Sequence, residues 1–477
     1  MLLCGIIDKL QRSTLGTGPL LFFFCQAIDE RINNASAILR GLIYMLLDQQ
    51  PSLIPHVRKK YEHAGKALFE DANRWVALSE ILKNILQDPS LKGAYLIIDA
   101  LDECISGQRE LLKFIVEMTS KVPHVKWIVS SRNEPDIKES LKAVETMLDL
   151  KLNEKSVASA VSIYIQYQVD ELAKLKGYDD KTKRAVQKHL TSNAENTFLW
   201  VALVCQELTK YSRSRVLTKL NTFPPGLGSL YQRMMAQLRC SDEADLCKQV
   251  LAVLCNTYRP ITIQELTSFI DISEDIYDNL EFLTEIVGLC GSFLTIREST
   301  IYFVHQSAKE FLLKDAVDEI FPSGVALLHY DIFSQSLHVM STALRHDMYG
   351  LATPGFPIEN VNQPNLDSLA AAHYACVYWV DHLYDWQSSK NTNHPDVFRD
   401  GGVIDDFLRQ HYLHWLEALS LCRSMSQGVL SMAKLESILQ YLVEQQADKE
   451  AKDNEDRRPL YQTAAAGHTA TVQYLIM

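Results

Sequence analysis

The chain has 477 residues, 47% hydrophobic and 22% charged, enough for about three globular domains and outside the ranges of disordered, collagen-like or coiled-coil chains. Lys plus Arg number 47 against 59 Asp plus Glu, a formal charge of −12, which argues against a general nucleic-acid binder or an anionic-membrane binder. Apolar runs fall well short of the ~18 residues of a membrane span. The start Met1-Leu2-Leu3-Cys4 carries no export signature, and the ten cysteines include no Cys-x-x-Cys pair, so a cytoplasmic chain with reduced thiols is expected.

Residues 1–150 alternate strand-like and helix-like segments, which predicts an α/β layer built on a parallel sheet. Leu20 to Phe24 is a continuous apolar run, preceded by Gly16-Thr17-Gly18-Pro19. Ala37, Leu39, Leu42, Ile43, Leu46 and Leu47 recur at helical spacing, and Trp75 to Leu86 repeats that pattern. Ala94 to Ile98 is apolar at every position, as a strand covered on both faces should be. A helix through Leu111, Leu112, Ile115 and Val116 leads to a further strand at Val125 to Val129.

From about residue 151 the strand signals stop and a helical domain is expected over 151–238, ended by the Pro224-Pro225-Gly226 turn and one more helix. Residues 239–318 carry three helices and then a hairpin. Thr262-Ile-Gln-Glu265 has capping-box spacing, Phe293–Ile296 and Ile301–Val304 are the hairpin arms, and Ser307-Ala-Lys-Glu310 is a second capping-box pattern. Helices followed by a two-stranded wing predict a winged-helix domain. Residues 319–446 read as helical, with Tyr374, Tyr378, Trp379, Tyr384, Trp386 and Trp415 as core. Residues 447–477 have the order of one ankyrin repeat: a polar turn, Pro459-Leu460, Ala464-Ala465-Ala466-Gly467-His468, and an apolar second helix. Arg458 and Tyr461 depart from that pattern.

The strongest chemical constellation is Leu96-Ile97-Ile98-Asp99-Ala100-Leu101-Asp102-Glu103. A buried strand that delivers an Asp at its C-terminal end suits a Mg²⁺ carboxylate, because open α/β sheets bind ligands at that edge. Glu103 is placed to polarise a water. The alternative is that Asp102 caps the next helix and Asp99 is a solvated strand end. Ser130-Ser131-Arg132 ends the next strand on the same edge, where a guanidinium detects a phosphate or is simply an exposed loop residue. No Gly-x-x-x-x-Gly-Lys-[Ser/Thr] occurs: Gly65-Lys66 lacks the preceding glycine, and Gly16-Thr17-Gly18 lacks the lysine. Gly-x-Ser-x-Gly, His-Glu-x-x-His and zinc-spaced cysteines are missing as well.

The order Asp99-Ala-Leu-Asp-Glu103, Ser130-Ser-Arg132, helical block, winged helix, Val304-His305-Gln306-Ser307 and ankyrin repeat resembles the fungal NACHT proteins. These are NOD-like STAND ATPases implicated in non-self recognition and regulated cell death. The resemblance runs over most of the chain and is densest at 20–315. It implies an α/β core at 1–150 that lacks the Walker A loop, because in that family Met-Leu-Leu-Cys-Gly-Ile-Ile-Asp follows the Gly-Lys-Thr directly. It implies Asp99 as the Mg²⁺ carboxylate acting through water, Asp102 and Glu103 as catalytic acids, Arg132 as phosphate sensor and His305 as the winged-helix contact to the ADP phosphate. His305 also fits a satisfied histidine at a strand–helix junction. Asn196-Thr197-Phe198-Leu199 sits where relatives place a Gly-x-Pro adenine contact, but the proline is absent.

The resemblance further implies ATP or ADP with Mg²⁺ as cofactors of the intact family, none held tightly by this chain, and no measurable ATP hydrolysis without the loop. Partners would be proteins, through ankyrin repeats and self-oligomerisation, with no nucleic acid and no membrane span. The expected function is a signal-transducing, nucleotide-dependent switch; the rival is a non-catalytic interaction scaffold or an inert fragment. A DNA-binding winged helix is excluded by charge, since residues 240–315 hold 13 acidic against 5 basic residues.

Overall fold

The structure is a computed structural model that describes residues 2–13, 18–65, 69, 74–132, 134–142, 154–270, 280–351, 356–361, 364, 367–389, 397 and 401–444. The chain divides into two units. The first comprises residues 1–241 with 291–293 and 304–311, and the second comprises 242–290, 294–303 and 312–477.

The first unit is organised by a parallel sheet. Helix α1 (Leu2–Ser13) precedes strand β1 (Leu20–Phe24), followed by α2 (Ala35–Gln49), α3 (Ile54–Ala64) and α4 (Arg74–Leu86). Then come β2 (Ala94–Asp99), α5 (Gln108–Lys121), β3 (Val125–Val129) and α6 (Pro135–Ser140). The strand order is β1-β2-β3, with Leu96 opposite both Leu21 and Trp127. Alternation along the strands sends side chains to opposite faces. Ile97 joins Leu3, Ile7 and Leu20 beneath α1, whereas Leu96 and Ile98 join Leu39, Leu82 and Leu111 on the other face. Both faces are covered, so β2 is apolar throughout. Helix α2 starts at Asn34, whose side chain accepts the Ala37 N–H at 2.9 Å, an N-cap. It lies close on β1 because residue 41 is glycine: a Cβ there would stand 2.7 Å from the Phe23 ring.

The remainder of this unit is helical: α7 (Glu154–Lys176), α8 (Asp180–Asn193), α9 (Phe198–Thr209), α10 (Arg213–Leu220) and α11 (Leu227–Arg239). Trp200 is fully buried and donates its indole N–H to Pro224 O at 3.1 Å, which ties α9 to the Pro-Pro-Gly turn. Tyr231 of α11 packs on Phe293 and Phe311, with ring centroids 5.7 and 5.4 Å away.

The second unit begins with α12 (Ala244–Asn256), β4 (Ile261–Thr262), α13 (Ile263–Thr267) and α14 (Leu280–Leu289), then β5 (Leu294–Arg297) and β6 (Thr300–Phe303). The strands form an antiparallel sheet in the order β4-β6-β5. Three helices with a small sheet match the expected winged-helix arrangement. The capping box on Thr262 and Glu265 is formed reciprocally. The hairpin is tighter than its sequence suggests. Glu298 and Ser299 both adopt positive φ, 48° and 64°, so a two-residue turn of the kind that matches strand twist replaces the four-residue link.

Helix α15 (Gln306–Lys314) follows the hairpin, and α16 (Val317–Ile320), α17 (Val325–Ala343), α18 (His373–Ser388), α19 (Val403–Leu421) and α20 (Met425–Glu444) complete the described residues. Trp379 is the centre of an aromatic core with Phe333, Phe407 and Trp415. The Trp415 indole N–H donates to Cys376 O at 2.8 Å. Tyr374, Tyr378 and Trp386 are buried as expected; Tyr384 is not, because it lies on the solvent side of α18. The partial ankyrin repeat expected at 447–477 lies outside the described residues. Among those described, no helix is long and apolar enough to cross a membrane.

Candidate functional site

The C-terminal ends of β1, β2 and β3 build the site. Asp99 ends β2, and Ala100 immediately turns the chain with φ 53° and ψ 53°. That left-handed conformation costs a non-glycine residue about 1–2 kcal/mol, and it sends Leu101–Glu103 into a single 3-10 turn over the edge of the sheet. Residue 130 pins this turn. Its hydroxyl accepts the Ala100 N–H at 2.9 Å and donates to Asp99 Oδ1, while its carbonyl accepts the Leu101 N–H at 2.8 Å. Ser130 therefore orients the Asp99 carboxylate, a role the sequence motif did not reveal.

Glu103 turns back towards β1 and accepts the Ala27 N–H at 3.0 Å. Burial raises its pKa above the usual carboxylate value; the Ala27 bond opposes that rise and the Asp102 charge adds to it. Cys25 and Cys104 line the same acidic corner, and burial raises both thiols, Cys104 to about 12. They are held as thiols and are not nucleophiles.

Asp102 spends both carboxylate oxygens on one neighbour. Oδ1 accepts the backbone N–H of Arg132 at 2.9 Å, and Oδ2 lies 3.2 Å from its Nε. Asp102, expected from the sequence as an acid beside Glu103, thus holds Arg132 at this edge. The Arg132 guanidinium also donates through Nη1 to Glu310 Oε1 at 2.7 Å.

Residues 304–311 belong to the first unit, and the Arg132–Glu310 bond ties them to this edge, with His305 near Arg132 despite its distance in sequence. The ring is exposed at the surface, yet the protein atoms around it cost the charged form solvation. That lowers its pKa, Arg132 lowers it further, and Glu310 opposes the change. His305 Nδ1 accepts the Ser307 N–H at 3.1 Å, so the neutral ring carries its hydrogen on Nε2 and offers a donor there. The Ser307 hydroxyl bonds Nδ1 at 2.8 Å and the Tyr231 hydroxyl at 2.9 Å. The capping box expected at Ser307 and Glu310 is therefore not formed. His305 caps α15, and the Glu310 side chain reaches Arg132.

The structure brings Asp99, Asp102, Glu103 and Arg132 together on one sheet edge, and His305 within electrostatic reach of Arg132. Ser130, Ser307 and Glu310 were missed as site residues; all three stand inside quoted motifs, but spacing alone does not say whom they touch. Asn196 adopts positive φ, 58°, just before α9, and nothing in its surroundings marks a base contact. No group of three or more potential metal ligands occurs among the described residues. Mg²⁺ needs none, since it is usually held by one or two carboxylates with water and substrate phosphates. Asp99, aimed by Ser130 at the strand end, fits that requirement.

Residues 1–132 match the family model described as Nephrocystin 3, N-terminal, and residues 231–322 match that of the winged-helix domain of GPI inositol-deacylase. Over 459 residues, 93% of the chain, the sequence is 50% identical to the vegetative incompatibility protein HET-E-1 of Podospora anserina. This chain is similar to a fungal incompatibility protein. It spans about a third of that protein's length, 34%. The matches support the resemblance to fungal NACHT-type proteins and the presence of a winged helix. Among solved structures, the Walker-type ATPase PABY2304 of Pyrococcus abyssi aligns with 65% of this chain and 95% of its own, at 11% identity and a TM-score of 0.26, too loose a likeness to carry an argument.

Proposed function

We propose that this chain is the switch region of a nucleotide-dependent, NACHT-type signalling protein of the kind that serves fungal non-self recognition. The observation that carries the reading is the convergence of Asp99, Glu103 and Arg132 at one parallel-sheet edge, with His305 supplied from far along the chain.

In this reading Asp99 holds Mg²⁺ through water, and Ser130 fixes the carboxylate so that little reorganisation is needed on loading. Bound Mg²⁺ would neutralise phosphate oxygens. Glu103, with its raised pKa, takes a proton from water more readily than an ordinary surface carboxylate. Arg132, held through its backbone N–H and Nε by Asp102, reads a terminal phosphate. His305 donates from Nε2 to a phosphate oxygen. The reading requires a glycine-rich phosphate cradle, which residues 1–477 do not contain. The domain division 1–150, 151–238, 239–318, 319–446 and 447–477 belongs to the same proposal, as do partner contacts through ankyrin-type repeats and self-oligomerisation on nucleotide exchange.

The test is Mg-ADP and Mg-ATP titration of the chain, beside a version joined to an upstream strand and Gly-x-x-x-x-Gly-Lys-Thr loop. The loop-bearing version should bind, Asp99→Ala should abolish the Mg²⁺ dependence, and the 477-residue chain should show no turnover. A correctly folded loop-bearing version that binds no nucleotide overturns the reading.

A further inference from the structure

Arg132 is held by two carboxylates of very different character. The Asp102 side chain is 6% exposed and uses both oxygens on residue 132, through its backbone N–H and its Nε. This grip fixes where the guanidinium starts and which way it points. The Glu310 side chain is 29% exposed and touches the terminal nitrogen Nη1 of an arginine that is itself 46% exposed. Removing Asp102 would release the inner side of Arg132, its backbone N–H and Nε; removing Glu310 exposes a nitrogen that water or another anion can reach. A carboxylate oxygen and a phosphate oxygen present the same acceptor to a guanidinium, and the phosphate carries more charge.

We infer that Glu310 is a built-in competitor for the phosphate-binding arginine: it closes Arg132 while the site is empty and must release it when a phosphate-bearing ligand arrives. This rests on the nucleotide-switch reading above and adds to it the residue that resists the triphosphate.

The surroundings of Glu310 give the competition a direction. Five residues before it, His305 caps the same helix and keeps its Nε2 hydrogen available, because the Ser307 N–H occupies Nδ1. One short segment thus brings a neutral donor and an anion to the same edge. An arriving phosphate is attracted by His305 and Arg132 and repelled by Glu310. Glu103, Asp102 and Glu310 also act on one another, for both neighbours push the Glu103 carboxyl upward. Departure of Glu310 takes one negative charge away from the crevice just as a phosphate brings negative charge in. The residues that bind the phosphate and the residue that yields to it are therefore separate, and each can be changed alone.

The experiment uses the 477-residue chain with tripolyphosphate as probe, read by calorimetry and by amide hydrogen exchange across 304–311. Glu310→Gln should bind tripolyphosphate about two- to five-fold more tightly than the parent, the range a partly exposed ion pair supplies, and should exchange faster at 304–311 without any anion. Arg132→Gln should lose the anion response. Glu62→Gln, an exposed acid on α3, controls for net charge and should behave as the parent. The proposal is overturned if Glu310→Gln matches Glu62→Gln in both readouts, or if it binds no tripolyphosphate. The loop-bearing version separates the two ideas. Failure to bind nucleotide while the Glu310→Gln effects persist removes the nucleotide reading alone; Asp99-dependent nucleotide binding that is indifferent to Glu310 removes the competitor alone.

Discussion

His329 and His382 face each other inside the second unit, Nδ1 to Nδ1 at 2.9 Å. Their neighbours decide where the hydrogens lie. The Tyr374 hydroxyl accepts the Tyr258 N–H at 3.2 Å, which leaves its own hydrogen for His382 Nε2 at 2.8 Å. In that arrangement His382 carries its hydrogen on Nδ1 and donates it to His329 Nδ1, and His329 Nε2 lies 4.0 Å from Asp385. Asp385 in turn accepts the Tyr258 hydroxyl at 2.6 Å. Both rings are neutral in this chain of bonds.

The first prediction concerns pH. Burial lowers the pKa of His382 well below its ordinary value; His329 is lowered by burial, with Asp385 opposing. A histidine depressed in the folded state takes up protons first in the unfolded chain. The stability it contributes is complete above the unfolded pKa of about 6.5 and is lost as pH falls from there towards the folded value. Each such group gives a slope of at most about 1.4 kcal/mol per pH unit. Thermal melts between pH 8 and pH 5 should show a decline below about pH 6.5 that is shallower in His329→Gln. Equal slopes in parent and variant would refute it.

Arg259 and Glu265 form a buried pair at 2.6 Å. Burial alone would raise the Glu265 carboxyl, yet the Arg259 bonds hold it below its usual value. Glu265 also accepts the Thr262 N–H at 2.8 Å. Glu265→Ala should cost about 3–5 kcal/mol in denaturant unfolding, because it strands a buried guanidinium and opens the cap of α13. A loss under 1 kcal/mol would show that the arginine reaches solvent on its own.

At Gly41 two effects oppose. Alanine is about 1 kcal/mol better than glycine within a helix, but any side chain meets the Phe23 ring. Gly41→Val should therefore be destabilising by about 1–3 kcal/mol. If Phe23→Ala in the same protein does not relieve part of that loss, the helix–strand approach is not its cause.

Ala100 stores strain beside Asp99. Ala100→Gly should leave stability unchanged or improve it by up to about 1 kcal/mol, since glycine tolerates the left-handed turn. Urea unfolding measures this directly, and a loss of more than 1 kcal/mol would contradict the strained conformation.

The sequence by itself determined the local elements. The unbroken apolar run at Ala94–Ile98 specifies a strand covered on both faces, and the Thr262–Glu265 spacing specifies a helix start, because strand alternation and capping act over a few residues. It also placed Asp99 and Arg132 on one edge, since parallel strands joined by right-handed crossovers leave little choice. What lay beyond its reach were contacts that depend on the folded chain. Ser307-Ala-Lys-Glu310 has the spacing of a capping box, yet tertiary contact gives the cap to His305 and Glu310 to Arg132. A capping box needs the Glu310 carboxylate to turn back on its own helix start, and an oppositely charged guanidinium brought from 178 residues away takes that carboxylate instead. That both Asp102 oxygens meet Arg132 is not written in the Asp-x-x-Asp-Glu spacing, and no periodicity in α17 or α18 foretells that His329 and His382 share a hydrogen. Local patterns fix which face of an element is apolar; which polar atoms satisfy one another is settled only when the faces close.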